Sequence, residues 1–250
     1  MFVNHFFVLA SNPFIDAYTH SDFLGKLIFI GLISLSIISW VLIIYKFLSL
    51  RAVQKNGVKF YQEIQSQKNQ LLNVNYTASL DEKKTNPFFH LYQVFKKQTI
   101  DILNKNKKFG AQETKEHVFL SPTDVAFIES QMQAAIASEI NGLEKNLYIL
   151  STIVSLAPFL GLLGTVWGIL TTFSELQSMT SGSTHQMVLG GLSLALATTV
   201  IGLIDAIPAM IGYNYFKNAI RDFEVEMEGF SIEILSSVEM NYRQVDVVYG

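Results

Sequence analysis

"TTVIGLIDAIPAMIGYN" occupies residues 198–214. Without Asp205 it is an apolar, small-residue helix suited to a lipid bilayer. With Asp205 it carries an ionisable group whose nearest formal charge is Lys217. Whether its surroundings are lipid decides the fold, and the charge map answers that. Only 16% of the 250 residues are charged while 50% are hydrophobic. No Asp, Glu, Lys or Arg lies between Lys26 and Lys46, or between Lys145 and Glu175. Between Glu175 and Lys217 Asp205 stands alone. Each window is long enough to supply the roughly 20 apolar residues a helix needs to cross a bilayer core. A lone open segment in lipid must be helical, because only then are its backbone N–H and C=O groups paired internally.

The sequence therefore reads as an all-α membrane protein: three transmembrane helices with long cytoplasmic helical extensions. The spans are placed at 24–45, 147–173 and 187–214. Between and around them lie an N-terminal segment (1–23), an insert leading into the second span (46–146), a short connector (174–186) and a C-terminal helix (215–250). The first span does not read as a cleaved signal peptide. No Lys or Arg precedes Lys26, the apolar run is too long, and no small-x-small site follows. Residues 1–21 and 174–186 lack Lys and Arg, which cluster instead in 46–145 and after Lys217, with Lys26 the exception. The positive-inside rule then places the N-terminus outside and the C-terminus in the cytoplasm. The net charge of −3 points to no particular partner, and the lysines of "KNKKFG" (105–110) read as a solvated turn rather than a nucleic-acid patch. There is no Cys, and the five scattered His make no metal pair.

Two helix starts in the insert are legible. Asn86–Pro87 is a cap followed by a first-turn proline, with Phe88, Leu91 and Phe95 as its apolar stripe. "SPTD" (121–124) has the capping-box pattern of Ser121 and Asp124. From there one helix is expected to rise uninterrupted into the second span, and residues 216–240 to continue the third. A break is expected around 72–87.

The second span carries Ala157, Gly161, Gly164 and Gly168 on one face, and the third carries Gly191, Ala195, Thr198, Gly202, Ala206 and Ala209. Small faces let helices approach closely in lipid. Gly191, Thr198, Asp205 and Gly212 recur seven apart, close to two full turns each time. Threonines in such helices also serve plain packing, their hydroxyls bonded to a carbonyl one turn back. An acid at membrane depth costs a few kcal/mol and marks ion or proton routes, or else locks helices together. A single seam with one acid is not a complete relay, so further groups would come from other copies or another protein.

"LAPFLGLLGTVWGI" (156–169) and "ATTVIGLIDAIPAMIGYN" (197–214) resemble the signature segments of the TolQ/ExbB proton-channel family, distant relatives of MotA. "ISWVLIIYKF" (38–47) resembles the end of the first span in TolQ-type members. The resemblance covers about 147–216 strongly, 24–50 moderately, and 52–120 in architecture only. It implies not an enzyme but a subunit of a motor in the bacterial inner membrane, with a periplasmic N-terminus. In this family a homo-oligomer, most often of five copies, rings two single-span helices of a TolR/ExbD-type partner that supplies the proton-carrying Asp. A TolA/TonB-type periplasm-spanning protein can follow. Thr165 and Thr199 correspond to the threonines facing the partner's helix, and the glycine faces would be ring contacts. No cofactor is implied beyond the coupling proton, although adjacent Thr198 and Thr199 could ligate Na⁺.

The sequence departs from the family twice. Leu194 stands where many members carry Glu, and Asp205 replaces a small residue before "AIPA". Eleven residues is three turns plus about 20°, so the two share a face. The expectation is that the acid has moved about 16 Å towards the cytoplasm and serves the exit half of an ion path made with Thr165, Thr198 and Thr199. TolQ-like envelope maintenance is preferred. ExbB-like energising of nutrient import and a passive scaffold are the alternatives.

Overall fold

The computed structural model describes residues 13–19, 21–66, 71–72, 86–109, 119–178 and 184–242. Among them all extended regular structure is helical: α1 (Pro13–Thr19), α2 (Phe23–Ser66), α3 (Pro87–Phe109), α4 (Pro122–Glu144), α5 (Leu147–Ser178) and α6 (Thr184–Tyr242). Three of these, α2, α5 and α6, are long and apolar enough to cross a membrane. The expected break at 72–87 and the middle of the 174–186 connector lie largely outside the described residues.

The chain divides into two units. The first holds α1, α2 as far as Tyr45, α5, and α6 as far as Phe216. Its α5–α6 pair is antiparallel and close: Cβ atoms added at Gly202 or Gly168 would lie 2.6 Å from the Ala157 carbonyl oxygen and 2.7 Å from that of Gly191. Parallel to α6 runs α2, with Gly25 against Leu194 and Ile43 against Gly212. Ala17, Phe29, Leu194 and Ala197 form a buried cluster at one end of this pair. Asp22 caps α2 by accepting from Gly25 N–H at 2.9 Å, and its other carboxyl oxygen accepts from Trp167 Nε1 at 2.7 Å. Leu27, Ile30, Ile37, Val41, Phe159, Leu162, Val166, Leu203 and Ile207 all point outwards. Such continuous apolar cover suits lipid rather than water.

The second unit holds the rest of α2 and α6 together with α3 and α4. Its core is aromatic. Phe88 packs edge-on to Phe223 and Phe230, and Phe60 edge-on to Phe89, Tyr92 and Phe230. Asn86 caps α3 through Phe88 and Phe89 N–H, and Ser121 with Asp124 closes a capping box on α4. Burial raises the Asp124 pKa, but hydrogen bonds from Ser121 and Asn106 outweigh it and hold the carboxyl below its ordinary value. Lys46, nearly buried, donates to the Leu143 carbonyl at the end of α4 at 2.6 Å.

Two expectations are corrected. Residues 105–109 are helical rather than a turn, since nothing before Gly110 breaks α3 and Lys107 and Lys108 suit its C-terminal dipole. The helix opened at Ser121 does not run straight into the second span. It ends at Glu144, and Asn146 adopts a left-handed φ of 71° before α5 begins at Leu147. Asn is among the few non-glycine residues enriched in that conformation. The third span does continue without interruption, as one 59-residue helix.

Candidate functional site

The third span brings its polar groups to different surroundings. Thr198 is fully buried, and its hydroxyl lies 3.0 Å from the carbonyls of Leu194 and Ala195 and 3.4 Å from that of Gly161 on α5. Thr199, half-buried, donates to the same Gly161 carbonyl at 3.2 Å. Thr165, also half-buried, donates to Leu162 one turn back at 2.7 Å. These hydroxyl protons are turned towards backbone, which leaves oxygen lone pairs as what Thr165 and Thr199 can offer beyond the helix pair.

The glycines explain why the threonines can sit so deep. A Cβ at Gly161 would meet the Thr198 carbonyl at 3.0 Å and Thr199 Cα at 3.1 Å, and one at Gly164 would collide with the Thr198 side chain. Gly191 gives room for Thr172, whose hydroxyl donates to Gly168 at 2.7 Å. Ala157, Gly161, Gly164, Gly168, Gly191 and Gly202 are therefore occupied by contacts within one chain. The stripe expected to meet neighbouring copies is filled by the chain's own third span.

Asp205 faces elsewhere. It is 5% exposed and lies beside Ser36 of α2, while its Oδ2 has no partner. Leu194, on the same face, lies against Gly25 of α2. The seven-residue seam thus begins on α5 at Gly191 and Thr198 and ends on α2 at Asp205 and Gly212. Seven residues fall about 20° short of two turns, so a heptad row drifts around a straight helix. Asp205 and Thr198 are interior to the subunit, whereas Thr165 and Thr199 are partly open.

Sequence reading missed Ser36 and Ser39. Their signal was present: Gly25, Phe29, Leu32, Ser36, Ser39 and Ile43 follow the alternating four-and-three spacing of one helix face. No group of three or more metal-ligating side chains occurs among the described residues.

Residues 102–229, which include α5 and α6 as far as Gly229, match the sequence model of the MotA/TolQ/ExbB proton channel family. The chain belongs to this family. It is 30% identical over 223 residues to the Tol-Pal system protein TolQ of Haemophilus influenzae, covering 87% of this chain and 90% of that one. It is 27% identical over 225 residues to the biopolymer transport protein ExbB of Pseudomonas putida, across 87% of this chain and 61% of the relative. A 97-residue stretch is 43% identical to the ExbB of Aquifex aeolicus. Membership in the MotA/TolQ/ExbB family makes this a membrane protein of the proton-channel kind rather than of an enzyme class, of the TolQ/ExbB type.

Proposed function

We propose that the chain is the ring-forming subunit of a TolQ-like motor in the bacterial inner membrane, driven by the proton motive force and serving envelope maintenance. Five copies would surround two single-span partners of the TolR/ExbD type, and a periplasm-spanning protein of the TolA/TonB type would carry the movement outwards. Thr165 and Thr199 would line the ion path, with Asp205 serving its cytoplasmic half. The observation that carries this reading is the division of polar groups. The two signature threonines are half-open, while the chain's own acid is enclosed. A ring lined this way supplies ligands but no exposed carrier, and that is the part a single-span partner with an intramembrane Asp would fill. The distribution of Lys and Arg supports a periplasmic N-terminus.

Gentle purification of the tagged chain from its own membranes, followed by mass spectrometry, tests the reading. Recovery of a small single-span protein with an intramembrane Asp is the expected result. A ring recovered without one counts against it. Similarity to several ExbB proteins favours a second reading, energising of nutrient import. Companions of an outer-membrane receptor system in the same sample would select that reading.

A further inference from the structure

Among the described residues of the membrane-spanning unit, two buried side-chain oxygens lack a hydrogen-bond partner: Oδ2 of Asp205 and Oγ of Ser39. Asp205 is 5% exposed and Ser39 2%. The parallel register that sets Gly25 against Leu194 and Ile43 against Gly212 puts Ser36 at the level of this carboxyl group. Ser36 and Ser39 lie one turn apart on the α2 face that packs against α6. Two more acceptors belong to the backbone. Pro208 sits inside α6 and Pro158 inside α5. Proline has no N–H, so the carbonyls of Ile204 and Val154 lose their helical donors. The antiparallel register that sets Ala157 against Gly202 and Gly161 against Thr198 places Val154 at the level of Asp205.

The acid thus lies against the serine face of α2 and has no countercharge on the three spans. No other charged or titratable side chain lies on α2 between Lys26 and Tyr45, on α5 between Tyr148 and Glu175, or on α6 between Gly190 and Tyr213. An uncompensated carboxylate and unpaired acceptors are both costly away from water. A small positive species corrects both faults together.

We propose that Asp205, Ser36 and Ser39 form a monovalent-cation site owned by a single subunit, which takes a proton or a sodium ion and needs no residue from another chain. This deepens the proposed function and rests on its reading of the chain as ion-driven; it names where the ion is held inside the subunit. A proton on Oδ2 turns that oxygen into a donor, with Ser39 Oγ as its acceptor. A sodium ion instead takes the hard oxygen ligands directly. One positive charge balances the single carboxylate, whereas a divalent ion would leave excess charge in the bilayer.

Infrared difference spectroscopy on the full chain, reconstituted alone in phosphatidylcholine liposomes, tests the site. Spectra are taken between alkaline and acidic buffers, in choline chloride and in sodium chloride at equal ionic strength. The expected result is a carbonyl band of a protonated carboxyl group that appears on acidification, is lost in Asp205→Asn and is moved by Ser39→Ala. Suppression of the band by sodium but not choline identifies sodium as a ligand. Insensitivity to sodium identifies the proton. Either supports the site. Identical spectra for the parent chain and Asp205→Asn in both salts overturn it. So does a band that arises only after a single-span partner is added, or one that neither Ser36→Ala nor Ser39→Ala moves. Should Asp205→Asn fail to fold, the serine variants retain the carboxyl and still report. The measurement needs no motor. A band without a co-purifying partner would sink the proposed function alone, and a partner without a band would sink the site alone.

Discussion

Single residues matter most where the backbone leaves them little choice. Asp124 is an example outside the membrane. Its carboxylate closes the α4 capping box by accepting from Ser121 N–H and Asn106. Hydrogen bonds that favour the charged form hold its pKa below the unfolded value, so folding gains from that charge at neutral pH. The sign is definite. The gain is present above the ordinary carboxylate pKa of about 4 and is lost as pH falls through the lower folded value. Thermal unfolding followed by circular dichroism should therefore show a penalty for Asp124→Ala at neutral pH that shrinks in acid. Ser121→Ala, which removes the cap itself, should cost about 1 kcal/mol. Asn146 makes a different demand. With a φ of 71°, Asn146→Gly should leave stability unchanged or raised, while Asn146→Val should cost about 1–2 kcal/mol in the same measurement. The Ser121 and Asn86 caps were legible because their chemistry lies within four residues. The Asn146 break was not, since neither Gly nor Pro marks it and the left-handed conformation shows only in the backbone.

Among the elements, the α5–α6 pair depends on what glycine lacks. A Cβ at Gly202 would press on the Ala157 carbonyl at 2.6 Å and on Gly161 Cα at 3.3 Å, neither of which can swing away. At Gly229, on the same helix, nothing lies within 4 Å. Gly202→Ala should thus lower the recovery of monodisperse protein in detergent, whereas Gly229→Ala should raise the melting temperature, by the roughly 0.4–1 kcal/mol that such a change brings in an unstrained helix. Equal losses for both substitutions would contradict the close packing. That the spans carry small faces was legible from spacing alone. What fills those faces was not, because periodicity fixes a direction on one helix and says nothing of its neighbour. The same gap hid Ser36. It lies beside an acid 169 positions later in the chain, and only the pairing of α2 with α6 brings the two together.

At the scale of the molecule, the two units have opposite surfaces and cores. One turns its large apolar side chains outwards, and the other gathers its aromatic rings inside. The charge-free windows made that division readable, since lipid excludes formal charge over whole spans rather than at single sites. The absence of Cys permits a direct check. With Gln177→Cys, a membrane-impermeant maleimide should react from the periplasmic side of intact cells. With Lys105→Cys it should react only after the inner membrane is opened. Labelling in the reverse order would overturn the proposed orientation. The parallel contact of the first and third spans also bears on biosynthesis. The ribosome delivers α2 long before α6, and the third span enters the bilayer with an acid that insertion scales penalise by about 2.5–3.5 kcal/mol at a helix centre. Its shelter, the Ser36 face, is by then already in the membrane. The earliest span thus acts as a built-in insertion chaperone for the latest, and the order of synthesis becomes part of how the fold is reached.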